Sequence, residues 1–301
     1  MRRLQLPGGG MTALRLGIIG AGRVANVCAK ALGGIAALEL RAACNHTRMR
    51  LQEFCQNFSL SGYLDCAEMI DNERLQAVLI CTPVPTHMYY ARIACSYGCH
   101  VLCQAPVSLR PADIAYLLDY RAHSRRLVGE LDCHFRGGTL GCLAARLQRL
   151  RRGRSAPRSL DCRVGFNDYD TLYIMLQSLC GLTGFPQLRL ADGALQLHAG
   201  EVTLSCSFVR GRHNFVELKR PHCRENFEDH LLGFDDLYNL THVDSGFFDQ
   251  KKLHQSITDY HDELQEWAQQ AARPQRSRGE EPRLEAAAQL TAMIAALPLQ
   301  G

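Results

Sequence analysis

The sequence predicts an α/β protein with a doubly wound parallel sheet in its N-terminal part and a second α/β part with an open, mostly antiparallel sheet. Strand-like and helix-like segments alternate over roughly the first 130 residues, which is typical of a parallel sheet with helices on both faces. A glycine-rich turn follows the first strand. Beyond residue 131 the pattern changes to short strands separated by turns.

The N-terminal part contains apolar runs that are short enough for buried strands, each followed by a helical pattern. The predicted strands are residues 14–19, 38–44, 77–81, 100–103 and 127–131, and the predicted helices are residues 24–32, 48–58, 88–97 and 111–124. Residues 1–10, which end in a Pro-Gly-Gly-Gly run, are interpreted as a flexible leader. The first domain is therefore predicted to span residues 11–131.

The second domain is predicted to span residues 132–301. Helices are expected at residues 139–151 and 168–180, with a strand at 160–166 between them. Four strands follow with short turns, as in an antiparallel meander, at residues 188–190, 194–198, 202–209 and 215–218. Two helices, 256–272 and 284–296, close the chain.

Composition excludes several function classes. Apolar residues make up 47% and charged residues 21% of the 301 residues, which excludes a disordered chain. The net charge of +4 is too small to indicate nucleic acid or an acidic membrane as a partner. No apolar run reaches the roughly 18 residues of a membrane span.

Fourteen cysteines are scattered along the chain, and no two of them have the Cys-x-x-Cys spacing of a zinc or redox site. We therefore expect no metal centre. Buried thiols in a reducing compartment are the simplest interpretation, and they indicate a cytoplasmic protein.

The turn after the first strand matches the G-x-G-x-x-G/A fingerprint of dinucleotide-binding Rossmann domains. The first glycine permits the tight turn, the second allows a pyrophosphate to approach the backbone, and the small sixth residue lets the helix pack close to the strand. The helix N-terminus offers N–H groups to the anion. The cofactor-binding candidates here are Gly20, Ala21, Gly22, Arg23 and Val24, with Ala25 as the sixth residue.

The end of the second predicted strand bears on the choice of cofactor. An Asp or Glu at this place binds the ribose 2′-hydroxyl of NAD, whereas basic or small polar residues admit the 2′-phosphate of NADP. The chain has Asn45, His46 and Arg48 here and no acid. We therefore predict NADP(H) rather than NAD(H), although the same residues are also typical of an ordinary turn and helix cap.

Several segments together resemble the glucose–fructose oxidoreductase / inositol dehydrogenase (Gfo/Idh/MocA) family. They are residues 16–22, residues 77–83 with His87 and Ala91, residues 98–103 and residues 260–264. The resemblance implies a nicotinamide-binding Rossmann domain followed by a domain whose open sheet commonly pairs with a second subunit. It implies a homo-oligomer, a small-molecule substrate, and a cofactor site that also includes Thr82, Pro83, His87 and Gln104.

Two departures from the family pattern concern catalysis. Members usually have Glu-Lys-Pro where this chain has Gln104-Ala105-Pro106, and their Asp-x-Gly-x-His-x-x-Asp motif falls on Asn167, Tyr169, Thr171 and Ile174. The lysine and histidine are thus absent. Such a chain can still reduce a conjugated or iminium-like substrate, and biliverdin reductases, which resemble the family, also lack the lysine. The remaining catalytic candidates are His134, Tyr169 and Tyr173.

Three interpretations remain open from the sequence. The first is an NADP-dependent oxidoreductase that transfers hydride without the usual lysine and histidine. The second is a catalytically inactive protein that retains the cofactor pocket and acts as a regulator or partner. The third is a dimeric scaffold with an empty fold. The glycine turn and the Thr82-Pro83 segment favour the first two, and the enzyme is the preferred interpretation.

Overall fold

The computed structural model describes 12 stretches of the chain, mostly in its N-terminal part and its two C-terminal helices. They are residues 13–131, 159–166, 169, 172–173, 176–177, 188–191, 194–199, 202–210, 215–220, 223–228, 250–272 and 282–297.

The N-terminal sheet has six strands in the order β3-β2-β1-β4-β5-β6, and every neighbouring pair is parallel. This is the doubly wound order in which the chain reverses direction of winding between β1 and β4. The prediction of a doubly wound parallel sheet is therefore confirmed. The strands are β1 (Leu14–Ile19), β2 (Leu38–Cys44), β3 (Ser61–Tyr63), β4 (Ala77–Ile80), β5 (His100–Gln104) and β6 (Val128–Leu131).

Five helices connect these strands and cover both faces of the sheet. Small residues such as Ala25 and Cys28 are fully buried on the first helix and let it lie close to the sheet. Proline occurs in the first turn of the fourth and fifth helices, where its missing N–H has no intrahelical partner to lose. The helices are α1 (Arg23–Ala31), α2 (Arg48–Phe58), α3 (Cys66–Asn72), α4 (Val84–Ser96) and α5 (Pro111–Ser124).

The structure differs from the sequence-based prediction at strand β3 and at helices α3 and α4. Strand β3 and helix α3 were not predicted, because three exposed or half-exposed residues and a seven-residue helix give too little periodicity. Helix α4 begins at Val84, four residues before the predicted start, because Pro83 occupies its N-cap position. The predicted break after Tyr97 is confirmed, since α4 ends at Ser96.

The later strands form a second six-stranded sheet in the order β12-β11-β7-β10-β9-β8. The predicted meander is wrong at one point: β10 and β11 are not neighbours, because β7 lies between them, parallel to β10 and antiparallel to β11. The last strand was not predicted. The strands are β7 (Ser159–Phe166), β8 (Leu188–Ala191), β9 (Ala194–Ala199), β10 (Val202–Arg210), β11 (Phe215–Arg220) and β12 (Cys223–Glu228).

Two C-terminal helices, α6 (Gln250–Ala272) and α7 (Pro282–Ala296), return to the first sheet. Tyr260, Leu264 and Trp267 of α6 are buried in the same apolar cluster as α1 and one face of β1. Leu284 of α7 is buried in the cluster on the opposite face, and Glu285 forms an ion pair with Arg121 of α5. The core of the first domain therefore includes residues that the sequence assigned to the second.

Some predictions concern parts of the chain outside the described residues. These are the leader, the helix at residues 139–151 and most of the helix at residues 168–180. Self-association through the second sheet stays a prediction. Within the described part of the chain, no helix combines the length and the apolar character needed to cross a membrane.

Candidate cofactor site

The candidate site lies at the carboxyl ends of β1 and β4, where the winding of the sheet reverses. Open α/β sheets bind ligands in the crevice outside this point. Gly20, directly after β1, has a φ of +105°, and a Cβ built on it would lie 2.6 Å from the carbonyl oxygen of Cys81 after β4. The two loops approach each other so closely that only glycine fits here.

Gly22 has a different environment. It is the N-cap of α1 with an ordinary extended backbone, and a Cβ built on it would meet no atom within 4 Å. Among the residues that the structure describes, no side chain caps this helix, and its first turn has no acidic residue. An open surface beside an uncapped helix N-terminus is a suitable place for a phosphate group.

Asn45 connects the end of β2 to the glycine turn. Its Oδ1 accepts a hydrogen bond from the backbone N–H of Ala21 at 3.3 Å, and its Nδ2 donates to the carbonyl of Thr47 at 3.2 Å. The neighbouring His46 and Arg48 are exposed. The structure thus places Asn45, one of the predicted ribose-side residues, in contact with the predicted pyrophosphate turn.

Arg23 is the first residue of α1 and lies half-buried beside the glycine turn. Burial lowers its pKa to about 10, so the guanidinium remains charged at neutral pH. A partly desolvated cation at this position attracts an anion more strongly than one in bulk water. Val24, the other predicted contact of this turn, is also half-buried.

His87 is fully buried and connects two loops of the site. Its Nε2 lies 2.6 Å from the carbonyl oxygen of Thr82, and its Nδ1 lies 3.0 Å from that of Pro106. Burial lowers the pKa of His87, and the hydrogen bonds to carbonyl oxygens oppose this shift only in part. We therefore assign His87 to positioning the two loops rather than to touching a ligand.

The turn after β5 contains the Gln104-Ala105-Pro106 segment, at which the sequence departs from the family that it resembles. Gln104 is half-buried, Ala105 is 2% exposed, and the Ala105–Pro106 peptide bond is cis. Ala105 has no titratable group, so the side chain at this position neither donates nor accepts a proton.

Tyr173 and Gln177 meet Glu130 beneath this turn. Glu130 at the end of β6 is fully buried and accepts hydrogen bonds from the Tyr173 hydroxyl at 2.8 Å and from Gln177 Nε2 at 2.7 Å. The backbone N–H of Val107 donates to the same carboxylate at 2.9 Å. Because Tyr173 is itself fully buried, this environment favours a positioning role over direct contact with a substrate.

The structure describes fewer contacts for the other catalytic candidates than for Tyr173. Tyr169 is half-buried, with the guanidinium of Arg210 5.4 Å from the centre of its ring. His134 lies outside the described residues.

Two further cofactor-binding candidates lie just before α4. Thr82 is half-buried and accepts a hydrogen bond from Thr86 at 3.0 Å, while Pro83 is exposed at the N-cap of α4.

Glu130 is the residue of this region that sequence reasoning missed. Its signal was present, because a carboxylate in an otherwise apolar strand is rarely buried without partners. The partners come from residues 107, 173 and 177, and nothing in the sequence links these distant positions.

The nine cysteines whose side chains the structure describes are free thiols. Burial raises the pKa of Cys44, Cys66 and Cys95 to about 12, which makes these thiols unreactive at neutral pH. Within the described part of the chain, no group of three or more His, Cys, Asp or Glu side chains is arranged to hold a metal ion.

Comparison with known proteins relates the N-terminal part of the chain to a family of oxidoreductases. Residues 14–130 match the GFO_IDH_MocA family model, described as an oxidoreductase family with an NAD-binding Rossmann fold. Myo-inositol 2-dehydrogenase from Thermotoga maritima is 32% identical over 108 residues, which are 35% of this chain and 32% of the relative. The rhizopine catabolism protein MocA from Rhizobium meliloti is 29% identical over 147 residues, which are 44% of this chain and 45% of the relative. The match thus spans less than half the length of these curated relatives.

Solved structures resemble the chain over almost its whole length at low sequence identity. GenD2 from gentamicin A biosynthesis, in complex with NAD, superposes with a TM-score of 0.65 over 97% of this chain and 95% of that one, at 14% identity. Myo-inositol 2-dehydrogenase from Lactobacillus plantarum has a TM-score of 0.62, 15% identity and coverage of 95% and 96%. These likenesses show a shared fold.

Proposed function

We propose that this chain is an NAD(P)-dependent oxidoreductase that acts on a small molecule, because residues 14–130 match the model of the Gfo/Idh/MocA oxidoreductase family with its NAD-binding Rossmann fold. The proposal depends above all on the glycine turn at residues 20–25, which follows β1 and opens α1 at the point where the sheet reverses its winding. This is the structural context that gives the fingerprint its meaning.

The residues of the turn fit a dinucleotide. The open surface over Gly22 leaves room for a pyrophosphate, and the uncapped N-terminus of α1 supplies N–H donors to it. Arg23 adds a positive charge at the same end of the helix. Asn45 fixes the backbone of Ala21 and thereby the shape of the turn.

We further propose a preference for NADP(H). No acid stands at the end of β2 to bind a ribose 2′-hydroxyl, and the exposed His46 and Arg48 are within the same short segment as Asn45. Basic side chains at this position suit a 2′-phosphate. The solved structures of similar fold include one with NAD and a 3-ketoreductase variant, KijD10 from Actinomadura kijaniata, with NADP.

The chemistry differs from that of a lysine-dependent dehydrogenase. When bound, the nicotinamide cofactor supplies or accepts a hydride at carbon. The side chain of Ala105 has no proton to exchange with an oxygen of the substrate, and a positioned acid or base is worth typically ~10²–10⁴ in rate. A conjugated or iminium-like substrate, which needs less help from an acid, therefore fits this site better than a sugar or polyol.

The deciding experiment is titration of the purified chain with NADPH and with NADH, followed by a turnover screen. Calorimetry provides the binding signal. We expect NADPH to bind more tightly than NADH and Arg48→Ala to remove most of the difference. Binding of neither cofactor at millimolar concentration contradicts the proposal.

The turnover screen uses carbonyl, imine and tetrapyrrole acceptors with the cofactor that binds. We expect consumption of NADPH with an imine or a conjugated acceptor such as a tetrapyrrole rather than with a simple ketone. Cofactor binding without turnover of any acceptor would instead support a non-catalytic cofactor-binding protein.

A further inference from the structure

The buried carboxylate of Glu130 joins three separate parts of the chain. Its donors are the backbone N–H of Val107 in the turn after β5 and the side chains of Tyr173 and Gln177 in the second half of the chain. The donor–acceptor distances of 2.9, 2.8 and 2.7 Å are those of well-formed hydrogen bonds. A carboxylate without water is tolerated only when such donors replace its hydration.

The turn that Glu130 holds is also held from its other side. His87 contacts the carbonyl oxygen of Pro106, one residue before Val107, and the carbonyl oxygen of Thr82 in the loop after β4. A continuous series of polar contacts therefore runs from the β4 loop through the β5 turn to the second half of the chain. Both loops border the crevice where the proposed cofactor binds.

We propose that Glu130 is a positioning residue of the cofactor site, which fixes the turn at residues 105–107 against Tyr173 and Gln177 without touching the ligand. The proposal rests on the proposed function, since it assumes that the crevice takes a nicotinamide cofactor. It adds a residue that the glycine fingerprint does not include, and it couples the second half of the chain to cofactor binding.

Gln177 makes a rescue test feasible. Its Nε2 donates to Glu130, while its Oε1 is buried and has no hydrogen-bond partner among the residues that the structure describes. A glutamine at position 130 keeps an acceptor for Val107. Its new amide group can donate to Gln177 if the Gln177 amide turns over, so Glu130→Gln keeps the contacts and removes only the charge.

The experiment compares Glu130→Ala with Glu130→Gln in the full chain, with two measurements. Hydrogen exchange of the Val107 amide reports the contact itself, and titration with NADPH reports the cofactor site. We expect Glu130→Ala to lower the protection of Val107 and raise the Kd for NADPH, each by about tenfold, as for loss of a hydrogen bond to a charged group. Glu130→Gln should stay within about threefold of the wild type.

Two further variants keep the test decisive if Glu130→Ala does not fold. Gln177→Leu in the Glu130→Gln background removes the acceptor that the new amide needs, so the rescue should be lost. Tyr173→Phe removes one donor and should raise the Kd by severalfold. Its matched control is Tyr120→Phe on α5, which removes a hydroxyl that donates to the carbonyl of Cys99 and should leave the Kd unchanged.

The proposal would be overturned if Glu130→Ala had the same Kd for NADPH and the same protection of the Val107 amide as the wild type. Equal weakening by Glu130→Ala and Glu130→Gln would also overturn it, because charge rather than hydrogen bonding would then act on the cofactor. If the wild type binds neither NADPH nor NADH, the proposed function fails, and the positioning role in the cofactor site fails with it. In that case, comparing hydrogen exchange of the Val107 amide in the wild type and in Glu130→Ala still shows whether Glu130 holds the turn.

Discussion

The two glycines of the turn have opposite requirements, although the fingerprint treats them alike. Gly20 needs glycine for folding, because its φ is positive and its missing Cβ leaves room for the carbonyl of Cys81. Gly22 adopts a backbone that any residue can adopt, and space is open where its Cβ would lie. The fold therefore does not require glycine at position 22, which agrees with the pyrophosphate contact that we propose there.

Gly22→Val should fold with nearly wild-type stability and lose cofactor binding, because its side chain fills the space that we assign to the pyrophosphate. Gly20→Ala should instead lower the free energy of unfolding by about 1–3 kcal/mol through backbone strain and the contact with Cys81. Urea unfolding and NADPH titration of both variants separate the two effects. Undiminished binding by a folded Gly22→Val protein would place the ligand elsewhere.

Ala105 stands where the resembled family usually has lysine, and its surroundings are unfavourable for a lysine side chain. Its side chain is 2% exposed, and its backbone N–H donates to the carbonyl of Leu131 at 3.0 Å. An ammonium group placed there would lose its hydration, which lowers the pKa of a buried lysine.

Ala105→Lys should therefore give no gain in turnover of the native substrate and should weaken NADPH binding. Ala105→Met is the matched control, because it adds similar length without charge. A loss confined to the lysine variant assigns the effect to desolvation, whereas an equal loss in both assigns it to crowding. New sugar or polyol dehydrogenase activity in Ala105→Lys would show instead a pocket that retained its hydroxyl-binding groups and lost only the base.

At the scale of elements, the start of α4 and the turn after β5 are connected through one buried imidazole. Both ring nitrogens of His87 face carbonyl oxygens, yet burial lowers its pKa and favours the neutral ring, which has one N–H. One of the two contacts thus lacks a proton at neutral pH. The histidine nevertheless fixes the loops, because its ring is enclosed on all sides.

His87 should make the stability of the protein depend on pH. Its pKa in the folded state lies below the unfolded value of 6.5, so the unfolded chain binds the proton more readily. The contribution is therefore fully present above pH 6.5 and is lost as the pH falls through the folded pKa. Between about pH 7.5 and pH 5, the wild type should lose more free energy of unfolding than His87→Gln, which can donate one hydrogen bond at any pH. Parallel pH profiles of the two proteins would contradict this.

The sequence predicted the elements of the first sheet well, because its buried strands are continuous apolar runs and its turns contain glycine or proline. It missed β3, whose residues Ser61 to Tyr63 form an exposed edge, and it missed that β7 separates β10 from β11. In the candidate site, the sequence placed the glycine turn and Asn45 at strand ends because each follows a strand directly, and their contact with a cofactor stays a prediction. Glu130 was missed because its partners are set by packing between distant segments.

At the scale of the whole molecule, the first sheet depends on the far end of the chain. Helix α6 lies against α1, and its Tyr260, Leu264 and Trp267 are 1–3% exposed within the cluster that contains β1. His261 adds a hydrogen bond from its ring to the carbonyl of Ala31 at the end of α1, at 2.8 Å. Residues 14–130 thus form a recognisable domain in sequence whose core is completed about 130 residues later.

The consequence is that a substitution in α6 should destabilise the N-terminal half of the molecule. Leu264→Ala removes a side chain that is 1% exposed in the shared cluster and should lower the free energy of unfolding by about 2–5 kcal/mol. Gln265→Ala, at an exposed position of the same helix, should change it by less than about 0.5 kcal/mol. Hydrogen exchange of α1 amides then shows where the loss acts. If α6 only packed on the second half of the chain, Leu264→Ala would leave α1 as protected as in the wild type. Because α1 begins at the glycine turn, we expect its amides to lose protection and the Kd for NADPH to rise with them.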